Sequence, residues 1–313
     1  METEPAQLCV ARGRAYDLLG TALLDGLRPD RVAHMRAVPA LATHIDDTPD
    51  PDRWAAAHHT ALALEVPPFQ SAFISETGHL DDGAHLSQAY AQGGFGGARS
   101  DVPADHAGTS LHFLSWLCAA EADALRDGQT QAHTEVQALA CRFIDAHLGR
   151  WLPALAVALQ TSPGIHPFFT EVALLSTELV ADHRAAMQTQ VPIWHLPEVP
   201  DPLSNPQTRL ADLAQHLTTP SLAGGVLSRS ALALVGRRAA VPKGFGSRAL
   251  MLTNLMRTAA ELGELPQVLK GISAVVHGWA HAHTAIGAQV WAQRARQTLD
   301  LLQRMAEAIE LKE

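Results

Sequence analysis

"PADHAGTSLHFLSWLCAAE", residues 103–121, is the stretch on which the fold turns. Leu111, Leu114, Leu117 and Cys118 recur at intervals of three and four, the spacing that lines one side of an α-helix, and they are predicted core residues. The first turn is less ordinary, because Pro103 precedes an Asp105–His106 pair and Gly108 follows it. Two readings of Asp105 compete. As a cap, it merely satisfies an N–H of the first turn. As a site, it stays ionised in the field of the helix N-terminus and holds a guanidinium through two parallel hydrogen bonds.

Working outward, apolar residues recur at three and four almost everywhere, and alternation at period two is rare, so the chain is expected to be all-α. The first helix runs through residues 9–27 with Tyr16, Leu19, Leu23 and Leu27 on one side, and Pro29 follows its end. A second covers 51–66 and stops at Pro67–Pro68. Residues 67–103 form an irregular region with one short helix ending near Tyr90, then the glycine pairs Gly93–Gly94 and Gly96–Gly97. Thr134 and Gln137 have the spacing of a capping box, and Pro153 is expected to end or kink the helix that follows. Pro167 stands at a favoured first-turn position for a helix carrying Phe168, Val172, Leu175 and Leu179. Residues 188–207, "QTQVPIWHLPEVPDPLSNPQ", contain five prolines and exclude a regular helix, while the periodicity returns from 208 onward. The expected organisation is a helical bundle over 1–187, a proline-rich linker over 188–207, and a helical C-terminal extension over 208–313.

Composition narrows the function. A hydrophobic share of 47% over 313 residues suffices for sizeable cores. A net charge of −9 argues against a nucleic-acid partner and suits a cationic one. Cys9, Cys118 and Cys141 are odd in number and far apart, which fits a reducing compartment. No basic segment leads into an apolar run near the first residues, and no apolar stretch has the length of a membrane span, so cytoplasmic localisation without stable membrane insertion is expected.

Catalytic, cofactor and metal sites find little support. Among the seventeen histidines, "HGWAHAH" sets His277 and His281 one turn apart, whereas His283 points to nearly the opposite side and Gly278 occupies the place of a zincin glutamate. Gly94–Gly97 lacks both the preceding strand and the Lys-Ser/Thr of a phosphate loop. "VPKGFGSRAL", residues 241–250, sets Lys243, Ser247 and Arg248 at a helix N-terminus, where an anion site and a plain Ser247 cap are both available readings.

Five landmarks occur in order: a tyrosine-bearing first helix, "PPFQSAF", "YAQGGF", "DHAGTSLHFL" and "FIDAHLGRWLPAL", followed by "FFTEVALLSTEL". Over residues 10–185 this series resembles the TorD-like family of redox-enzyme maturation chaperones. The resemblance rests on Pro67, Ser71 and Phe73; on Tyr90, Gly94 and Phe95; on Asp105, His106, Leu111 and Phe113; and on Phe143, His147, Leu148, Trp151 and Pro153. Gln70 and Ser110 stand where the family carries glutamates. The resemblance implies a TorD-like bundle and a non-enzymatic cytoplasmic chaperone, without cofactor or metal, that binds the twin-arginine signal peptide or another terminal segment of a molybdenum-containing oxidoreductase. It would hold that client until its cofactor is inserted, before export. Asp105 and His106, taken to lie at an exposed helix end, are the implied anchors for the Arg-Arg head; Phe73, Tyr90, Phe95 and Trp116 are candidates for the apolar groove. On that reading Asp105→Ala weakens peptide binding by roughly 1.5 to 3 kcal/mol with little loss of stability. The competing readings are a scaffold that binds folded partners through residues 208–313 and a metal protein using His277 and His281.

Overall fold

The computed structural model describes residues 4–74, 83–242 and 244–310; among them the chain is helical, and the only extended pairing is an isolated bridge between Phe69 and His106. In chain order the α-helices are α1 (Pro5–Asp25), α2 (Val32–Arg36), α3 (Pro39–Ala42), α4 (Pro51–His58), α5 (Gln70–Ile74), α6 (Ala84–Gln92), α7 (Ala107–Arg126), α8 (Thr130–Phe143), α9 (Gly149–Thr161) and α10 (Pro167–Ala186). After the proline-rich segment come α11 (Leu210–Thr218), α12 (Pro220–Ala223), α13 (Arg229–Arg238), α14 (Arg248–Glu261), α15 (Leu265–Ala285) and α16 (Gln289–Glu310).

The periodic stretches form the long helices, and Leu111, Leu114, Leu117 and Cys118 are all buried, as the spacing of α7 requires. The seam between α1 and α7 is set by glycines. A Cβ on Gly108 would lie 2.6 Å from the Gly20 carbonyl oxygen, and one on Gly20 would lie 2.6 Å from the His112 ring. The helices run antiparallel here, since Gly13 meets Ser115 and Cys118 at the other end, where Ser115 Oγ donates to the Gly13 carbonyl at 2.8 Å. Backbones this close need residues without side chains at the crossing. α10 closes the other side of α1, where Tyr16 Oη lies 3.0 Å from His183 Nδ1.

Local details depart from the sequence expectations for identifiable reasons. α8 begins at Thr130, four residues before the proposed capping box, and Thr134 Oγ1 instead donates to the Thr130 carbonyl inside the helix. Pro153 neither ends its helix nor stands alone as its disturbance: the chain passes through a π-helical turn at Ile144–Leu148 and continues as α9 with Pro153 inside. Gly149 permits that turn, because a Cβ there would sit 2.9 Å from the Ile144 carbonyl oxygen. The helix over 51–66 likewise becomes π-helical over His59–Glu65 before the prolines. The short helices α2 and α3 follow prolines in a stretch with no amphipathic run.

Two hydrophobic cores form. One gathers α1 through α10 around Trp151, Phe113 and Phe168; the other gathers α11 through α16 around Trp279 and Leu255. Residues 188–209 carry no helix. The C-terminal segment is nevertheless joined to the first core: Trp291 of α16 packs there, its indole N–H donating to the Arg150 carbonyl at 2.8 Å. Glu65 is buried and accepts from the Ser230 backbone N–H at 3.0 Å and from Ser230 Oγ at 2.7 Å, at the start of α13. Deleting residues after 190 would therefore strip a tryptophan from the first core and leave a buried carboxylate unpaired.

Candidate functional site

The bridge Phe69–His106 brings the "PPFQSAF" landmark against the start of α7. The Ala107 N–H donates to the Pro68 carbonyl at 2.8 Å, and the Gln70 N–H donates to the Asp105 carbonyl at 3.0 Å. These bonds lay the 67–70 strand-like segment alongside 105–107. Asp105 then closes the clasp from its side chain: Oδ2 accepts from the Ser71 backbone N–H at 3.0 Å and from Ser71 Oγ at 2.5 Å. One carboxylate oxygen thus caps α5 and ties it to the entry of α7.

His106, not Asp105, is the N-cap residue of α7. Its Nδ1 accepts from the Gly108 N–H at 3.0 Å, and its ring meets Phe69 edge-on at 5.3 Å. Burial pushes the His106 imidazole down to about 4, so it is neutral near pH 7, as an accepting Nδ1 requires. Both residues are buried, Asp105 with 4% and His106 with 6% of its surface exposed. The expectation that they lie at an exposed helix end is corrected: the 67–74 segment covers them, a contact made across 34 residues that local spacing does not reveal.

The other landmarks join the same cluster. Tyr90 Oη donates to the Ala104 carbonyl at 2.8 Å and lies 3.1 Å from Ser110 Oγ; its burial raises the phenol well above its ordinary range. The Tyr90 ring packs edge-on against Phe95, Phe113 and, tilted, Phe143. His147 Nδ1 lies 3.2 Å from Gln70 Oε1, and burial pushes that imidazole down to about 4. A neutral His147 donates its Nδ1–H to the amide oxygen. The two positions that depart from the family's glutamates therefore carry neutral groups paired with neutral partners, Gln70 with His147 and Ser110 with Tyr90. Sequence reasoning named Gln70, Ser71 and Ser110 without giving them these roles; the signal was their place inside the landmarks.

The six residues expected to bind peptide separate by exposure. Phe73 and Tyr90, proposed for the groove, are core residues; Phe73 packs at 5.4 Å from Trp151 and 6.3 Å from Trp291. Phe73 meets Trp151 of α9 and Trp291 of α16, and Tyr90 meets Phe113 of α7 and Phe143 of α8, so both rings are buried between helices. Phe95 is half-buried against Phe113, and Trp116 is 47% exposed with its indole N–H donating to the Gly93 carbonyl at 2.8 Å. Elsewhere, His277 and His281 are exposed, whereas His283 is buried with Nε2 at 3.0 Å from the Gly224 carbonyl. Among the described residues no three His, Cys, Asp or Glu side chains come close enough to hold a metal ion. Ser247 caps α14, accepting from the Leu250 N–H at 3.2 Å; Lys243 lies outside the described residues. No helix among the described residues is long and apolar enough to cross a membrane.

Residues 31–157, which contain the whole clasp, match the family model described as nitrate reductase delta subunit. The matched region lies within the stretch over which the chain resembles the TorD-like family. The chain is 34% identical over 88 residues to the selenate reductase assembly chaperone protein of Thauera selenatis, a stretch that covers 28% of this chain and 43% of the relative. It is 35% identical over 86 residues to the chlorate reductase assembly chaperone protein of Ideonella dechloratans, covering 28% of this chain and 42% of that one. The chain thus spans less than half the length of these relatives. No solved structure matches it. The matched region accounts for the clasp and most of the first core, while α11 through α16 lie beyond it.

Proposed function

We propose that the protein is a non-enzymatic assembly chaperone of the cytoplasm, which binds a subunit of a molybdenum-containing oxidoreductase, through its twin-arginine signal peptide or another terminal segment, until the cofactor is in place. The observation that carries this reading is the clasp itself: the landmarks that resemble the TorD-like family gather around the start of α7, with Asp105 tied to Ser71, within the residues 31–157 that match the nitrate reductase delta subunit model. A net charge of −9 favours encounter with an Arg-Arg head.

In this proposal Asp105, His106, Phe73 and Tyr90 position the surface rather than touch the peptide, because their polar atoms and rings are already engaged. Trp116, with Phe95 beside Phe113, is the member of the set with a face free for an apolar residue. Titration calorimetry of the full chain with a synthetic peptide carrying Arg-Arg before an apolar run tests the reading, together with capture of client from cells in which the chain is native. Binding that is lost when the arginines become glutamines is expected. Absence of peptide binding, with no reductase subunit among captured proteins, refutes the proposal.

A further inference from the structure

Between the π-helical turn at Ile144–Leu148, the C-terminal part of α10 and the turn joining α15 to α16 lies a cavity of about 450 Å³. Leu148, Leu152, Val180, Ile286, Val290 and Trp291 supply apolar walls. Its charged groups, Asp145 and Arg184, neutralise each other in an ion pair of 2.7 Å. The volume falls in the range of ligand-binding cavities, roughly 300–1,000 Å³. The outer wall is the proline-rich segment, through Val191, Pro192 and Trp194.

That segment is held in an unusual way. Among the described residues no backbone-to-backbone hydrogen bond ties residues 190–200 to the protein. Arginines grip its carbonyls instead: Arg184 donates to Thr189 at 3.1 Å and Gln190 at 2.8 Å, and Arg294 donates to Pro197 at 2.6 Å. Trp194 lies beneath the Arg150 guanidinium at 5.6 Å and edge-on to Trp291 at 6.5 Å, and Leu196 is buried in the first core. Ile193, just before Trp194, is 86% exposed. Carbonyls are common to every peptide, so this grip reads an extended backbone rather than a sequence; Pro192, Pro197 and Pro200 keep the segment extended before it docks. A stretch without ladder bonds and with few buried side chains opens at low cost.

We infer that residues 190–197 are a displaceable strap seated on a peptide groove, and that an extended, uncharged apolar segment of the client takes their place and fills the cavity beneath. The inference rests on the chaperone reading and adds to it where the apolar segment goes and what competes for the groove. The self-paired Asp145–Arg184 contributes no net charge, so the cavity selects an uncharged segment and leaves an Arg-Arg head outside. The competitor is tethered, which gives it a high effective concentration, and a free peptide binds more weakly in proportion to the fraction of open strap.

Two labelled peptides test this by fluorescence anisotropy on the full chain: one with Arg-Arg before ten leucine and alanine residues, the other a copy of residues 188–199. Trp194→Ala/Leu196→Ser, which loosens the strap, should bind both about tenfold more tightly than the unaltered chain. Adding Ala288→Trp, which fills the cavity, should abolish the gain. Equal affinity of the unaltered and loosened proteins, or no binding of either peptide to the loosened one, overturns the inference. Binding of the strap copy alone, sensitive to Ala288→Trp, supports the groove and refutes the signal-peptide reading. Should the loosened variant fail to fold by circular dichroism, thermolysin digestion of the unaltered chain decides: saturating Arg-Arg peptide should speed cleavage within 191–196 several-fold, and unchanged or slower cleavage refutes displacement.

Discussion

Replacing Asp105 by alanine removes a carboxylate oxygen that accepts two hydrogen bonds from Ser71, and it does so in a site with 4% exposure. Hydrogen bonds to a charged group contribute about 1.5–3 kcal/mol each, and a buried donor left unpaired costs about 1–3 kcal/mol. Taking the lower values for two bonds gives a loss of about 3 kcal/mol, with about 5 kcal/mol where water does not reach the freed Ser71 groups. Asp105→Asn keeps an accepting oxygen and should lose less, about 1–2 kcal/mol. Ser71→Ala removes the hydroxyl and leaves the backbone bond, so its loss should be intermediate, and a double-mutant cycle with Asp105→Ala should show coupling above about 1 kcal/mol. Urea unfolding monitored by circular dichroism measures each value. An Asp105→Ala protein as stable as the parent, with peptide affinity reduced instead, would refute the clasp and restore Asp105 as a direct anchor for arginine.

At the α1–α7 seam, Gly108→Ala should destabilise by about 1–2 kcal/mol despite alanine's better helix propensity, because its Cβ would stand 2.6 Å from the Gly20 carbonyl oxygen. Gly13→Ala, whose nearest atoms lie at 3.3 Å, should be close to neutral in the same urea assay, and a stabilising Gly108→Ala would refute the packing account. Stability should also fall between pH 7 and 5. Burial lowers His106 and His283 from an ordinary 6.5 to about 4, so in that window the unfolded chain binds the protons that the fold excludes; each histidine should cost roughly 2 kcal/mol at pH 5, and a flat or rising urea midpoint would refute this.

The helices were legible because burial imposes a local rule: Leu111, Leu114, Leu117 and Cys118 each repeat one face, and the prolines at 192, 197 and 200 forbid a helix wherever the fold sits. The clasp was legible only as an ordered set of landmarks. Asp105 in a first turn has the same local sequence whether solvent or Ser71 faces it, and the choice is made by a turn 34 residues away. The same holds for Trp291, whose helical register assigns it to a buried face but not to which of two cores.

That division bears on how the two halves of the chain work together. Phe73 of the clasp segment touches Trp151 and Trp291, and Trp291 in turn meets Trp194 of the strap and walls the cavity. Phe73 and Trp151 of the landmarks are thus linked to the strap through a contiguous set of aromatic rings. Packed rings have few alternative arrangements, so displacing Trp194 must either leave Trp291 with an open face for the incoming segment or shift it against Phe73. Because Arg184 grips the strap while it pairs with Asp145 beside the π-helical turn, and Arg294 grips it from α16, both cores bear on strap release. In the proposed function this makes the α15–α16 turn and α16 part of the client site rather than an appendage: the first ten helices supply the clasp and one wall, and the α15–α16 turn with α16 supplies the other wall and part of the grip on the strap.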